Sequence, residues 1–293
     1  MDYIAEMQNL PKKHDFFIGF DSDGCVFDTM EIKQKECFCP NFVKHYGMQA
    51  ASKYAREVWE FVNLYSKTRG CNRFLAVQRA LELIRERKEF HDRGVRVPEL
   101  KELNSWIIEE SKLGNPALEA KVAASGSEEL SMVLRWSKEV NAAITDMVYG
   151  IPPFPGVKEV LAKAQDKADM IVVSQTPLEA LTREWEENKI VHYLGMICGQ
   201  EHGTKTEHLS YTAKGRYAPE KILMIGDAPG DLKAAKANGV LFFPVIPGRE
   251  EESWAELNQE GLCRFFGGTY VGEYQESLLK EFDEALPSVP SWK

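Results

Sequence analysis

Residues 16–24 read FFIGFDSDG, an apolar run that ends abruptly in two aspartates. Residues 222–231 read ILMIGDAPGD and have the same form. An apolar run without polar alternation, bounded by Gly and Asp, is typical of a buried strand in a parallel sheet. Ligands of such sheets bind beyond the carboxyl ends of the strands, so we expect the four carboxylates to share one crevice. They belong to Asp21, Asp23, Asp227 and Asp231.

Carboxylates crowded into one crevice repel each other. A divalent cation held by oxygen ligands relieves that repulsion, and Mg²⁺ is such a cation. We therefore expect the four aspartates to bind Mg²⁺ where their strands end.

The composition narrows the class of protein. The chain has 293 residues, 44% of them apolar, which favours about two domains with a sizeable core. A net charge of −9 without a basic block argues against nucleic-acid binding. We expect no membrane segment and no export signal, because long apolar stretches are missing from the sequence. Six scattered cysteines suit a reducing cytosol, so a cytoplasmic location is predicted.

The periodicity of apolar residues changes twice along the chain. Residues 30–150 are expected to form helix after helix, with Ser52 and Asn72 as helix caps and Gly114 as a helix end. After the GIPPFPG segment at 150–156, strand and helix patterns alternate. Strands are predicted at Met170–Ser174, Met196–Cys198, Ile222–Ile225 and Leu241–Val245.

This alternation predicts an α/β fold, in which a Rossmann-like parallel sheet carries helices on both faces. The first strand belongs to the same sheet by its character, although it lies far from the others in sequence. Residues 1–29 and 151–293 are thus expected to form the core, and residues 30–150 an inserted all-helical cap domain.

The Asp21-Ser22-Asp23 segment suggests a reaction at phosphorus. Residues two apart at a strand end point to the same side, so both carboxylates can reach one reacting centre. One carboxylate can attack phosphorus, and the other can protonate the leaving oxygen and then activate water. Taken alone, a D-x-D pair also fits a strand-end turn.

The segment that follows the predicted Met170–Ser174 strand contains groups suited to binding phosphate. Ser174 ends a strand, and Thr176 with Glu179 predicts a capping box with Pro177 at the first helical position. A helix start beside a hydroxyl can bind phosphate, although an ordinary strand-to-helix turn reads the same way.

A lysine is expected to neutralise both the phosphoryl group and the attacking carboxylate. Lys205 opens the segment that leads to the Asp227 strand, and Lys214 competes for the role. Lys205 is preferred, because Lys214 leaves little room for a helix and a strand before Asp227. A solvated loop lysine is the alternative for either residue.

Together these segments resemble the haloacid dehalogenase superfamily. Residues 21–29, DSDGCVFDT, are similar to its first motif, D-x-D-G-T-L-x-D-S/T, with departures at Cys25 and Val26. Ser174, Lys205 and the GDAPGD segment at 226–231 match its second, third and fourth motifs in order.

The resemblance implies a role for each matching residue. Asp21 would be the nucleophile and Asp23 the general acid and base. The phosphoryl group would be held by Ser174, Gln175 and Lys205. Magnesium would be bound by the carboxylates of Asp21 and Asp227 and the backbone carbonyl of Asp23, with Asp231 as a ligand or a support.

An aspartate at position 23 resembles the phosphatase and phosphomutase branch. The helical insertion is similar to the caps of phosphoglycolate phosphatases and β-phosphoglucomutases, where a G-x-x-R segment contributes to specificity. By that likeness Arg69 and Arg73 would grip a carboxylate or second phosphate of the substrate, and solvated arginines at a helix start are the alternative.

Three functions remain possible at this point. The first is a magnesium-dependent phosphatase that hydrolyses a phosphate monoester of a small soluble metabolite through an aspartyl phosphate. The second is a phosphomutase, and the third is a catalytically silent member that binds a phosphorylated ligand or a protein partner. Substrate identity and oligomeric state are not readable from the sequence.

Overall fold

The computed structural model describes residues 2–293. Its sheet has five parallel strands in the order β3-β2-β1-β4-β5. They are β1 (Phe16–Phe20), β2 (Ala168–Val173), β3 (Met196–Cys198), β4 (Ile222–Gly226) and β5 (Leu241–Pro244). The predicted α/β fold is confirmed, and each strand lies within two residues of its predicted bounds.

The two faces of the sheet are covered by different helices. Because strand side chains alternate, Ile18 and Phe20 of β1 enter one apolar cluster and Phe17 enters the other. The first cluster includes residues from α10 (Val157–Ala164), α11 (Leu178–Glu187), α14 (Glu250–Glu256) and α15 (Leu262–Phe266). The second includes residues from α1 (Tyr3–Gln8), α12 (Lys205–Thr212), α13 (Pro229–Asn238) and α16 (Glu273–Ala285).

The strand register brings three strand ends together. Phe20 at the end of β1 pairs with Val172 on β2 and with Ile225 on β4. The chain leaves β1 toward β2 and β3 on one side, and returns to β4 and β5 on the other. This reversal of strand order is where open α/β sheets bind ligands.

The chain divides into two compact units. Met1–Met30 with Gly150–Pro287 form the unit that contains the sheet, and Glu31–Tyr149 with Ser288–Lys293 form a helical unit. The remaining helices are α2 (Thr29–Ile32), α3 (Cys39–His45), α4 (Ser52–Asn63), α5 (Arg73–Arg85), α6 (Lys88–Asp92), α7 (Lys101–Glu109), α8 (Asn115–Ser125) and α9 (Glu128–Met147), and a π-helical segment, Lys33–Phe38, joins α2 to α3.

Aromatic side chains dominate the core of the helical unit. Trp59 lies with its ring centroid 4.8 Å from Phe42 and 6.0 Å from Trp136. The Ser288–Lys293 segment adds Trp292, which packs partly buried against this core. None of the described helices in either unit is both long and apolar enough to cross a membrane.

Helix boundaries within the helical unit differ in part from expectation. Asn72 caps α5 as predicted, since its side chain accepts a hydrogen bond from the Phe74 backbone N–H. Ser52 is not a cap, because a short 3₁₀ turn feeds directly into α4 and makes Ser52 its first residue. Gly114 precedes α8 instead of ending a helix, which agrees with the preference of Pro116 for a helix start.

Candidate active site

The loop after β1 turns tightly around one backbone carbonyl. The Asp21 N–H continues the sheet by donating to the Ile225 carbonyl at 2.9 Å. The Ser22 carbonyl then accepts from the backbone N–H of Phe27 at 3.1 Å, while Gly24 takes a left-handed φ of 76°. Asp21 and Asp23 are thereby presented from a rigid turn.

Ser22 anchors this loop to α11, a contact that the sequence did not predict. Its hydroxyl donates to Glu184 Oε2 at 3.1 Å and accepts from Trp185 Nε1 at 3.1 Å. Ser22 and Trp185 are fully buried. The anchor fixes the backbone between the two aspartates.

Three of the four sequence-predicted aspartates come together. Asp21, Asp227 and Asp231 are 5%, 1% and 0% exposed. Each offers a carboxylate oxygen that lies within 4.8 Å of the others. Asp231 Oδ2 also accepts from the Ala228 N–H at 3.0 Å, which orients its carboxylate.

Lys205 joins two of these carboxylates. It is the first residue of α12, whose start is fixed by a capping box between Thr204 and Glu207. Its Nζ donates to Asp21 Oδ2 at 2.7 Å and to Asp231 Oδ1 at 2.6 Å. The preference for Lys205 agrees with this geometry, whereas the competing Lys214 is exposed.

Burial and charge shift the pKa values of this cluster. Burial lowers the pKa of Lys205, but the attraction of Asp21 and Asp231 outweighs it and holds this pKa above its usual value. Burial, assisted by the charge of Asp231 and opposed by Lys205, raises the pKa of Asp21 to about 7. Burial also raises the pKa of Asp231. Lys205 is therefore a cation beside carboxylates that resist ionising together.

The cluster fits a divalent cation. Lys205 pairs with Asp21 and Asp231, and its single positive charge does not offset three ionised carboxylates. Hard oxygen donors of this kind suit Mg²⁺. A bound cation would favour the ionised form of Asp21, against the effect of burial.

The packing of the carboxylate cluster requires a glycine at position 226. A Cβ at this position would lie 2.4 Å from Asp231 Cβ. We expect Gly226→Ala to displace Asp231 and to lower the free energy of unfolding by about 1–3 kcal/mol, the usual cost of overpacking. Thermal and urea unfolding measure this effect.

The matched control is Gly230→Ala in the first turn of α13. A Cβ there has no contact within 4 Å, and alanine favours helix, so equal or slightly higher stability is expected. Equal stability of both variants would contradict the close packing of Gly226 against Asp231.

Asp23 is held by two threonines. Thr29 Oγ1 donates to Asp23 Oδ1 at 2.5 Å, and Thr176 Oγ1 donates to Asp23 Oδ2 at 2.7 Å. The predicted capping box of Thr176 with Glu179 is wrong. Pro177 occupies the cap position of α11, one residue before the helix, and the first helical N–H donates to Glu201 instead.

Ser174 and Gln175 lie at the end of β2, beside the end of β1. Ser174 is 2% exposed, and its N–H donates to the Cys198 carbonyl at 3.0 Å. The Gln175 side chain donates to the Gly203 carbonyl at 2.8 Å, which ties this loop to the start of α12. A phosphate-binding role for both residues remains a prediction.

Both arginines expected in substrate recognition are engaged inside the helical unit. Arg69 is buried and donates to the Leu64 carbonyl at 2.9 Å. Arg73 donates to Ser137 Oγ at 2.9 Å and lies over the Phe38 ring, and burial lowers its pKa to about 10. Arg69 is not solvated and Arg73 is only partly exposed, and these contacts favour a structural role for both. Their part in specificity remains a prediction.

Comparison with known proteins agrees with the fold. The family model described as haloacid dehalogenase-like hydrolase matches residues 100–245, which include Ser174, Lys205 and Asp227 but not the residue 21–29 segment. Residues 100–245 therefore match the haloacid dehalogenase-like hydrolases, the same superfamily that the residue 21–29 segment resembles. Among curated proteins, none matches the sequence.

Several solved structures match this chain at low sequence identity. A proposed phosphoglycolate phosphatase from Lactobacillus delbrueckii subsp. bulgaricus is 16% identical, with a TM-score of 0.50 over 78% of this chain and 85% of its own. A proposed β-phosphoglucomutase from Thermotoga maritima is 15% identical, with a TM-score of 0.40 over 84% and 99%. A proposed hydrolase of the superfamily from Bacillus subtilis, bound to magnesium, is 12% identical, with a TM-score of 0.43 over 84% and 100%.

Proposed function

We propose that this hydrolase is a magnesium-dependent phosphatase acting on a phosphate monoester of a small metabolite in the cytoplasm. One observation carries the proposal: Asp21 is buried at the end of β1 with Lys205 on one oxygen, inside a cluster of carboxylates that fits a divalent cation. A helical unit inserted after the first motif also agrees with this branch of the family, and its role as a cap is part of the proposal.

The proposed reaction begins at Asp21. Its carboxylate oxygen attacks phosphorus, so an Asp21 oxygen–phosphorus bond forms as the ester oxygen–phosphorus bond breaks. Asp23 gives its proton to the departing oxygen and then takes a proton from the water that hydrolyses the aspartyl phosphate. Lys205 holds Asp21 in place and, with Ser174 and Gln175, is proposed to balance the charge of the phosphoryl oxygens.

Magnesium would be held by Asp21 and Asp227, with Asp231 as a ligand or support and the Asp23 backbone carbonyl as a further oxygen donor. When bound, it supplies positive charge that offsets the charge of the nucleophile and the phosphate. The residues of this chain then differ in what they contribute: Asp21 forms the bond, Asp23 moves the proton, and Lys205 orients the nucleophile.

Release of inorganic phosphate tests this function. Purified protein is freed of metal with a chelator and assayed on a panel of phosphate esters that includes p-nitrophenyl phosphate, 2-phosphoglycolate and β-glucose 1-phosphate. We expect phosphate release with Mg²⁺, none in excess chelator, and no rescue by Ca²⁺, because its larger and looser coordination misplaces the reacting groups.

Each other outcome favours a different function. Full activity in excess chelator would show that the reaction does not require a bound metal. Isomerisation of a sugar phosphate without phosphate release would identify a phosphomutase, and binding without turnover would identify a silent member. The silent alternative is the weaker one, since the four motif aspartates are all in place in the sequence.

A further inference from the structure

The hydroxyl of Thr176 has a partner that its sequence context does not suggest. Thr176 followed by Pro177 and Glu179 is typical of a helix cap. In the structure its hydroxyl instead donates to Oδ2 of Asp23 at 2.7 Å, although Asp23 lies 153 positions earlier in the sequence. Thr176 therefore does not cap the helix, and its hydroxyl binds the proposed general acid and base.

The backbone of Thr176 is fixed from both sides. Its N–H donates to Ser174 Oγ at 3.2 Å, and its carbonyl accepts from the Gln200 N–H at 3.1 Å. The second contact requires a glycine at position 199, where a Cβ would lie 2.8 Å from the Thr176 carbonyl oxygen. A hydroxyl on a backbone held in this way can hold Asp23 in one orientation.

A hydroxyl also suits a partner that changes its protonation state. It donates to a carboxylate, and after rotation it accepts from a carboxylic acid, so the same contact persists in both states. An ammonium group in this place would lack that reversibility, because it can only donate. Thr29 Oγ1 holds the other oxygen of Asp23, so the orientation of the carboxylate about its own axis is defined by two hydroxyls.

We propose that Thr176 is a positioning residue that orients Asp23 for proton transfer to the leaving group. The inference rests on the proposed phosphatase function and deepens it. Asp23 transfers its proton to the ester oxygen as the oxygen–phosphorus bond breaks and the Asp21–phosphorus bond forms, and Thr176 keeps the acid directed at that oxygen. An alkoxide needs this proton to leave, whereas p-nitrophenolate leaves without it.

The test compares two esters by kcat/KM, which covers the steps up to departure of the leaving group. Thr176→Val keeps the shape of the side chain and removes the hydroxyl. We expect kcat/KM to fall about 10- to 100-fold for an alkyl phosphate such as glycerol 2-phosphate, the effect of losing a hydrogen bond to a charged group, and to change little for p-nitrophenyl phosphate. Thr176→Ser, which restores the hydroxyl, should recover most of the loss.

Thr182→Val provides the control, since the same substitution is made on α11 and should leave both esters unaffected. Equal losses on both esters with Thr176→Val would assign the residue to folding or phosphate binding, and no loss on either would remove it from catalysis. If the wild-type protein hydrolyses neither ester, the proposed phosphatase function itself fails, and that result is distinct from a failure of the Thr176 inference alone.

Discussion

Asp21→Asn is expected to abolish turnover, with a fall in kcat of roughly 10⁴–10⁶-fold, the range seen when a covalent nucleophile is removed. An amide oxygen is a poor nucleophile and a weaker ligand for a cation than a carboxylate. Phosphate release from the best ester of the panel, measured at saturating substrate and Mg²⁺, gives kcat directly.

Folding should survive this substitution. Lys205 retains its 2.6 Å bond to Asp231, and the amide oxygen of asparagine can still accept from the Ser22 N–H. Removal of a buried carboxylate whose pKa is raised to about 7 also relieves repulsion within the cluster, so equal or higher thermal stability is expected.

The matched control is Asp166→Asn, at an exposed aspartate of the same unit, which should leave the rate unchanged. A near wild-type rate for Asp21→Asn would show that the reaction does not pass through this carboxylate. A folded Asp21→Asn protein without activity, beside an active Asp166→Asn protein, is the result that the proposed mechanism requires.

The sheet was predictable because buried parallel strands are encoded locally. Each is a short apolar run with a clear end, and even the three-residue β3, Met196–Cys198, was predicted with its observed bounds. The meeting of Asp21 and Asp227 follows from the same pattern, since strands that end at one edge bring their next residues together, and Asp231 joins them from the first turn of α13. In the core, the local sequence therefore predicts both the sheet and the carboxylates at its edge.

Other features depend on competition between local and distant partners. Thr176 lies in a local helix-cap motif, but its hydroxyl donates a hydrogen bond to Asp23 instead. The bond from Ser22 to Glu184 joins residues 162 positions apart, and no local pattern indicates it. In the sequence Arg73 resembles a solvated residue at a helix start, but in the structure it donates to Ser137, which lies 64 positions away. Such contacts are decided by tertiary packing and could not be derived from sequence periodicity.

Lys205→Met is expected to have the second-largest effect, because it affects both catalysis and stability. Without the ammonium group, Asp21 and Asp231 lose the cation that joins them at 2.7 Å and 2.6 Å. We expect a loss of about 3–5 kcal/mol in the free energy of unfolding in metal-free buffer, as when one partner of a buried ion pair is removed. The fall in kcat should be about 10²–10³-fold, as for loss of one electrostatic contact in an active site.

Mg²⁺ separates these two effects. A cation bound among the carboxylates can take over part of the charge balance, so Mg²⁺ should raise the melting temperature of Lys205→Met more than that of the wild-type protein. It should not restore kcat, because the orientation of Asp21 Oδ2 is still lost. Lys214→Met, at an exposed lysine just beyond α12, is the control and should match the wild type in both measurements. If Lys205→Met were as stable and as active as Lys214→Met, the ion pairs of Lys205 would contribute to neither folding nor chemistry, and the proposed charge balance at Asp21 would have to be abandoned.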